Sequence, residues 1–163
     1  MGKNNDRVGG QIADGIVPVA RNKRARFKYE LFDKFEAGLV LTGTEVKSLR
    51  NGKASIEEAY VRPQGGELFV VGMNIPAYEQ GNRENHEPTR SRKLLLHKRE
   101  MQRIAGRVSE KGYTVAPLSL YFRNGYAKLQ IALARGKRTF DRRETIKKRE
   151  AKRDLERAVR RRR

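Results

Sequence analysis

Two runs of alternating residues joined by Asn124-Gly125 restrict this chain more than anything else in it. Leu118, Leu120 and Phe122 alternate with polar or amphipathic residues before the dipeptide. Ala127, Leu129, Ile131 and Leu133 alternate with Lys128 and Gln130 after it. Period-two alternation puts apolar side chains on one face of a strand. Asn-Gly is the strongest two-residue hairpin signal, because both central positions of that turn need φ > 0. The product is an antiparallel ribbon with one apolar face and one face carrying positive charge. A two-stranded ribbon is marginal alone and must bury its apolar face against further structure. Pro117, lacking an N–H, is expected at a strand start or edge.

The preceding residues supply the rest of a small β domain. Residues 1–20, rich in Gly, Asn and Asp, read as a loose N-terminal segment. A basic cluster follows at 21–26. Phe27, Tyr29 and Leu31 then alternate with charged residues as in a half-buried strand, and 35–41 forms a second strand with Gly38 as a bulge or close-approach point. Thr44 is placed to cap a short helix over 45–50 that stops at Asn51-Gly52. Its Val46, Leu49 and Arg50 are spaced to pack under the sheet. Strands over 60–62 and 68–73 flank a turn at 63–66, and 76–89 is a polar loop. Residues 92–108 read as helical, with Leu94, Met101, Ile104, Ala105 and Val108 in one stripe. In a continuous helix Leu95 and Leu96 fall about 100° and 200° away from Leu94. Either the helix breaks near His97, a leucine meets something outside the core, or a broad face is buried; the last is the plainest reading. Gly112 ends this region. Five or six short strands with a helix between the later ones predict a partly closed antiparallel barrel of OB type with flanking helices.

Charge decides the class of partner. The chain has 38 Lys and Arg against 19 Asp and Glu, a net +19, and residues 135–163 alone hold 15 basic and 5 acidic residues. That stretch has too few apolar residues for a core but good helix signals. Asp141 is positioned as an N-cap with Glu144 three residues on, and Glu144–Lys148 and Glu156–Arg160 are acid-then-base pairs. It reads as a basic arm hinged at Gly136, loose when free and helical against a polyanion. A strongly basic chain points to nucleic acid before an anionic membrane. No apolar run reaches spanning length, and the arm lacks the Trp/Phe/Leu face of an interfacial helix. Without a signal peptide or a myristoylation signal the expected location is the cytoplasm. No membrane partner is expected.

The sequence carries little that could be catalytic. Zero cysteines exclude disulfides, thiol catalysis and cysteine metal sites. There is no Walker A loop, GxGxxG, HExxH or GxSxG. His86 and His97 have no partner at a metal-ligand spacing and read as hydrogen-bonding or RNA-contact residues. Glu57-Glu58 sits among cations, where salt bridging is the plain reading. The chain is expected to be no enzyme, with no cofactor, no metal and no small-molecule substrate.

Six blocks carry a resemblance. They are Asn22-Lys23-Arg24-Ala25-Arg26, Phe35-Glu36-Ala37-Gly38, Gly43-Thr44-Glu45-Val46-Lys47-Ser48-Leu49-Arg50, Arg92-Lys93-Leu94-Leu95-Leu96-His97, Leu118-Ser119-Leu120-Tyr121-Phe122 and Ala134-Arg135-Gly136-Lys137. In this order they strongly resemble the SmpB family, the bacterial tmRNA-binding (SsrA-binding) proteins of trans-translation. The resemblance implies an OB-type barrel over 21–135 that binds the tRNA-like domain of tmRNA. It also implies delivery of alanyl-tmRNA with EF-Tu to stalled 70S ribosomes, and a tail over 136–163 that lies helical in the empty mRNA channel. Family tmRNA contacts fall on Asn22, Lys23, Arg24, Glu36, Leu95, His97 and Lys128. Family decoding-centre and channel residues fall on Gly136, Lys137, Arg138, Phe140, Asp141, Arg142 and Arg143. Where the family usually has Asp-Lys-Arg, this chain has Asp141-Arg142-Arg143, and Phe140 stands where it often has His or Tyr. An aromatic there can stack on a base without reading its identity.

Two rival classes stay in view. A structural ribosomal or assembly protein would use the same tail as a generic rRNA-neutralising arm, and composition alone slightly favours it. A metal-dependent nuclease would need several clustered carboxylates. The motif blocks decide for the RNA adaptor.

Overall fold

The Asn124-Gly125 hairpin is the spine of the molecule. Strands β6 (Tyr113–Arg123) and β7 (Tyr126–Gly136) pair along their length, and the turn has φ of 51° at Asn124 and 84° at Gly125, as the sequence predicts. The computed structural model describes residues 15–81, 85–137 and 139–161, the side chains of 139–142 excepted. The free edge of β7 takes β2 (Tyr29–Leu39), in a register that sets Tyr29 opposite Gly136 and Gly38 opposite Lys128. Strands β3 (Tyr60–Gln64) and β4 (Glu67–Val71) turn at Gly65-Gly66, both at positive φ. Strand β5 (Arg92–Leu95) joins β4 to β2. Val61 pairs with Val115, so β6, β3, β4, β5, β2 and β7 close on themselves, and β1 (Ile16–Arg21) lies along β6.

The barrel interior is the core. Phe35, Ala37, Leu68, Val70, Leu94, Leu120, Leu129, Ile131 and Leu133 line it. Helix α2 (Gly43–Arg50) adds Leu49, and α3 (Lys98–Val108) adds Ile104 from its apolar face. Burying each large aliphatic side chain contributes about 1.5–3 kcal/mol. Helix α1 (Ala25–Lys28) is a single turn after β1, and α4 (Thr139–Arg161) follows β7.

A buried ion cluster ties α2 to the sheet. Glu45 and Arg92 are both 0 % exposed. The Glu45 carboxylate accepts from Arg92 Nε, from Arg90 Nη2 and from the Thr42 N–H that it caps. Arg92 also donates to the carbonyls of Met73 and Pro88, pinning the 76–89 loop. Burial alone would raise the Glu45 carboxyl. The Thr42 N–H and the two guanidiniums overcome that and hold it below the ordinary carboxylate range. His86 fastens the same loop: Nε2 donates to the Ile75 carbonyl at 2.7 Å while Nδ1 lies 2.9 Å from Thr44 Oγ1.

Several expectations need correction. Residues 16–20 are not loose but form β1, held by β6; residues 1–14 lie outside the described residues. Phe27 is in the α1 turn, and 29–39 is one strand with a bulge between Leu31 and Lys34. The cap of α2 is Thr42, not Thr44, because Thr42 is the residue whose N–H reaches Glu45. Residues 92–95 are a strand rather than helix, and the chain breaks at His97, the N-cap of α3. Alternation in β5 therefore buries Leu94 and leaves Leu95 51 % exposed. Pro117 is mid-strand, at a bulge where β6 shifts register, a position that needs no ladder N–H. The tail forms α4, and its start at Thr139 puts Asp141 inside the first turn instead of at the cap.

Candidate nucleic-acid interface

Register, rather than proximity in sequence, assembles the candidate site on the barrel's outer face. Leu95, Gly38, Lys128 and Tyr121 are successive cross-strand partners on β5, β2, β7 and β6. Cross-strand partners point to the same face, so these four form one row. Glu36, Gln130 and Ser119 form the next row, and Tyr126 and Arg123 close the far end. Gly38 is what lets the first row be continuous: a Cβ there would lie 3.2 Å from Leu95 Cβ. His97 is exposed two residues beyond Leu95, at the start of α3.

The β1–α1 corner borders these rows. A cleft of about 550 Å³ opens there, lined by Arg21, Asn22, Lys23, Arg26 and Lys34 and, from α4, Arg149. Among the described residues no acid lines it, so it suits phosphate. Asn22 is buried, donates from Nδ2 to the Pro117 carbonyl at 2.9 Å and accepts from the Arg24 N–H at 3.2 Å. Both ends of its amide are thus used inside the protein, fixing the corner that presents Lys23. Arg24 reaches Glu57 and Glu58 at 3.8 and 3.6 Å with its side chain mostly in solvent, so these bridges are weak and exchangeable.

Glu36 is engaged as well. It accepts from Tyr121 Oη at 2.5 Å and pairs with Arg123 Nε at 3.0 Å. Burial and this hydrogen bond push the Tyr121 phenol up to about 12. Sequence reading missed Tyr121 and Arg123, although they share the outward parity of Lys128 across the hairpin; that parity was the available signal.

The tail begins at the opposite end of β7. Gly136 is the last residue of that strand, opposite Tyr29. Lys137 is tied down: its N–H bonds the Lys28 carbonyl at 3.1 Å and its Nζ reaches the Arg26 carbonyl and Thr145 Oγ1 at 2.7 and 2.8 Å. Gly136 is therefore not a free hinge. Arg138 lies outside the described residues, as do the side chains of Phe140, Asp141 and Arg142; Arg143 is exposed on α4. Past its first turns α4 leaves Leu155 and Val159 exposed, with no packing partner among the described residues. No helix among the described residues is long and apolar enough to cross a membrane.

A closed antiparallel barrel with a basic aromatic face and a protruding basic helix defines a nucleic-acid-binding module. Comparison with known proteins makes this particular. The profile of the SmpB protein family matches residues 19–161, and the chain belongs to that family. The SsrA-binding protein of Shouchella clausii is 50 % identical over 150 residues, covering 92 % of this chain and 96 % of its own. That of Exiguobacterium sibiricum is 56 % identical over 142 residues, covering 87 % and 91 %. A chain from a solved structure described as "tmRNA-SmpB: a journey to the center of the bacterial ribosome" superposes with a TM-score of 0.63 at 48 % identity, over 76 % of this chain and 87 % of that one.

Proposed function

We propose that this chain is a non-enzymatic RNA adaptor of ribosome rescue. The barrel binds the tRNA-like domain of tmRNA, and the tail occupies the decoding centre and mRNA channel of a stalled 70S ribosome. Delivery of the alanylated RNA with EF-Tu in the cytoplasm completes the reading. The observation that carries it is the single outward face on which the register sets Leu95, Lys128 and Glu36 beside the cationic β1–α1 cleft. Family membership says which RNA to test first. Lys23, Arg24 and Lys128 serve as phosphate contacts, Asn22 shapes the corner behind them, and Leu95 offers an apolar surface to a base or ribose.

The test is binding of a tmRNA tRNA-like-domain transcript across a salt series. Affinity falls as salt rises, each phosphate contact adding about −0.7 to −0.9 to the log–log slope. Lys128→Ala flattens the slope by a fraction of a unit to about one. An unchanged slope and affinity removes Lys128 from the interface. Parent binding that ignores salt defeats the reading as a whole.

A further inference from the structure

An acid in the middle of an RNA-binding face is a contradiction that the Glu36 cluster resolves. A bare carboxylate repels phosphate. Here one oxygen, Oε2, takes both the Tyr121 hydroxyl at 2.5 Å and Arg123 Nε at 3.0 Å. The guanidinium carbon of Arg123 lies 5.9 Å from the centre of the Tyr121 ring, within cation–π range. Tyrosine, arginine and glutamate therefore fix one another: the ring carries the guanidinium, and the carboxylate anchors both. The ion pair to Glu36 is made through Nε, the guanidinium also lies within hydrogen-bonding reach of the Tyr121 hydroxyl, and the Arg123 side chain remains 43 % exposed, so it can still donate outward. Tyr121 and Lys128 are cross-strand partners, and Tyr126, 72 % exposed, stands opposite Arg123.

We infer that Glu36 is a positioning residue that does not itself touch RNA, and that Arg123, held on the Tyr121 ring, donates its Nη pair to a backbone phosphate of the bound RNA. A planar guanidinium with Nε already occupied still offers a two-pronged donor matched to a phosphate, and it arrives with its rotamer set. Lysine at the same place would keep the charge but lose the fork and the stack. Glu36 then matters to binding because without it Arg123 loses its anchor. This rests on the RNA-binding reading of the face proposed above.

The test uses full-length protein and the tRNA-like-domain transcript, with melting curves confirming that each surface variant is folded. Arg123→Ala binds about tenfold more weakly, as expected for loss of a charge-assisted contact, and its salt slope falls by up to about 0.7–0.9. Arg123→Lys recovers little affinity despite its charge. Glu36→Gln, which keeps an acceptor for Tyr121 but drops the charge holding Arg123, weakens the parent severalfold and adds nothing on the Arg123→Ala background. If Glu36→Gln weakens that background by the same factor as the parent, Glu36 contacts RNA directly and the inference is overturned. Parent-like binding by Arg123→Ala overturns it too. In that case weakened binding by Lys128→Ala in the same assay leaves the face standing as an RNA site, whereas no effect of either removes both readings.

Discussion

In the barrel, acids hold cations: Glu45 grips Arg90 and Arg92, Glu36 grips Arg123, Glu30 pairs with Arg135, Asp33 with Arg103 and Glu67 with Lys93. In α4 the ion pair among the described residues is Asp154–Arg157, at 3.9 Å. The Glu144–Lys148 and Glu156–Arg160 spacings read from the sequence do not close into ion pairs there. The barrel also buries its large aliphatics, whereas α4 leaves Ile146, Leu155 and Val159 exposed. The contrast separates two uses of charge. Paired charge fixes a surface of defined shape; unpaired charge on an unsupported helix leaves the shape to be chosen by the partner.

Cutting the chain after Gly136 breaks the comparison most severely. The truncated protein keeps tmRNA binding, reduced modestly by the lost charge, and loses peptide tagging on ribosomes stalled at an mRNA end. Reconstituted tagging beside a binding assay decides the matter: normal tagging, or loss of both activities, removes the division between the two regions. The next effect is on stability. Glu45→Gln strands the buried Arg92 charge and costs the barrel about 3–5 kcal/mol in urea unfolding. The sign with pH follows from the depressed Glu45 carboxyl. Its contribution is fully present above the ordinary glutamate value of roughly 4.3 and is lost as pH falls through the lower folded value. The parent therefore loses stability in acid by a component that Glu45→Gln lacks; parallel acid profiles would show that the hub holds no such linkage. The smallest effect sharpens the contrast from the other side. Ala151→Gly weakens α4 locally by about 1 kcal/mol, visible as reduced helical circular dichroism, with no change in the barrel's melting temperature. A shifted barrel transition would mean that the helix supports the sheet beyond its root.

The parts of the molecule legible in sequence are those fixed by local chemistry. Asn124-Gly125 and Gly65-Gly66 specify their turns by φ, and the alternation around the first names its buried face. Gly38 was readable as a close-approach point, and the structure puts Leu95 against it. What escaped depends on partners far along the chain. β1 is a strand because β6 offers it an edge, not because its residues alternate. Residues 92–95 follow a helical pattern only until β2 and β4 claim them as a strand, and that assignment also explains why three successive leucines need not share one face. Among the site residues, the basic cluster and Lys128 stood out by charge. Tyr121 and Arg123 did not, because their significance comes from Glu36, which is 85 positions from Tyr121 and lies across two strand pairings.

The pairing of Tyr29 with Gly136 has a consequence for how the protein is made. Strand β2 leaves the ribosome long before its neighbour β7 exists, with the 86 residues 40–125 still to be added between them. At about 5–20 residues per second, synthesis leaves β2 waiting roughly 5–20 s for the strand that covers it. Contacts so distant in sequence also close slowly once the chain is complete. Throughout that interval Phe35 and Ala37 have no interior to enter, and Lys34 and Glu36 are the charges beside them that discourage a nascent strand from pairing with another chain.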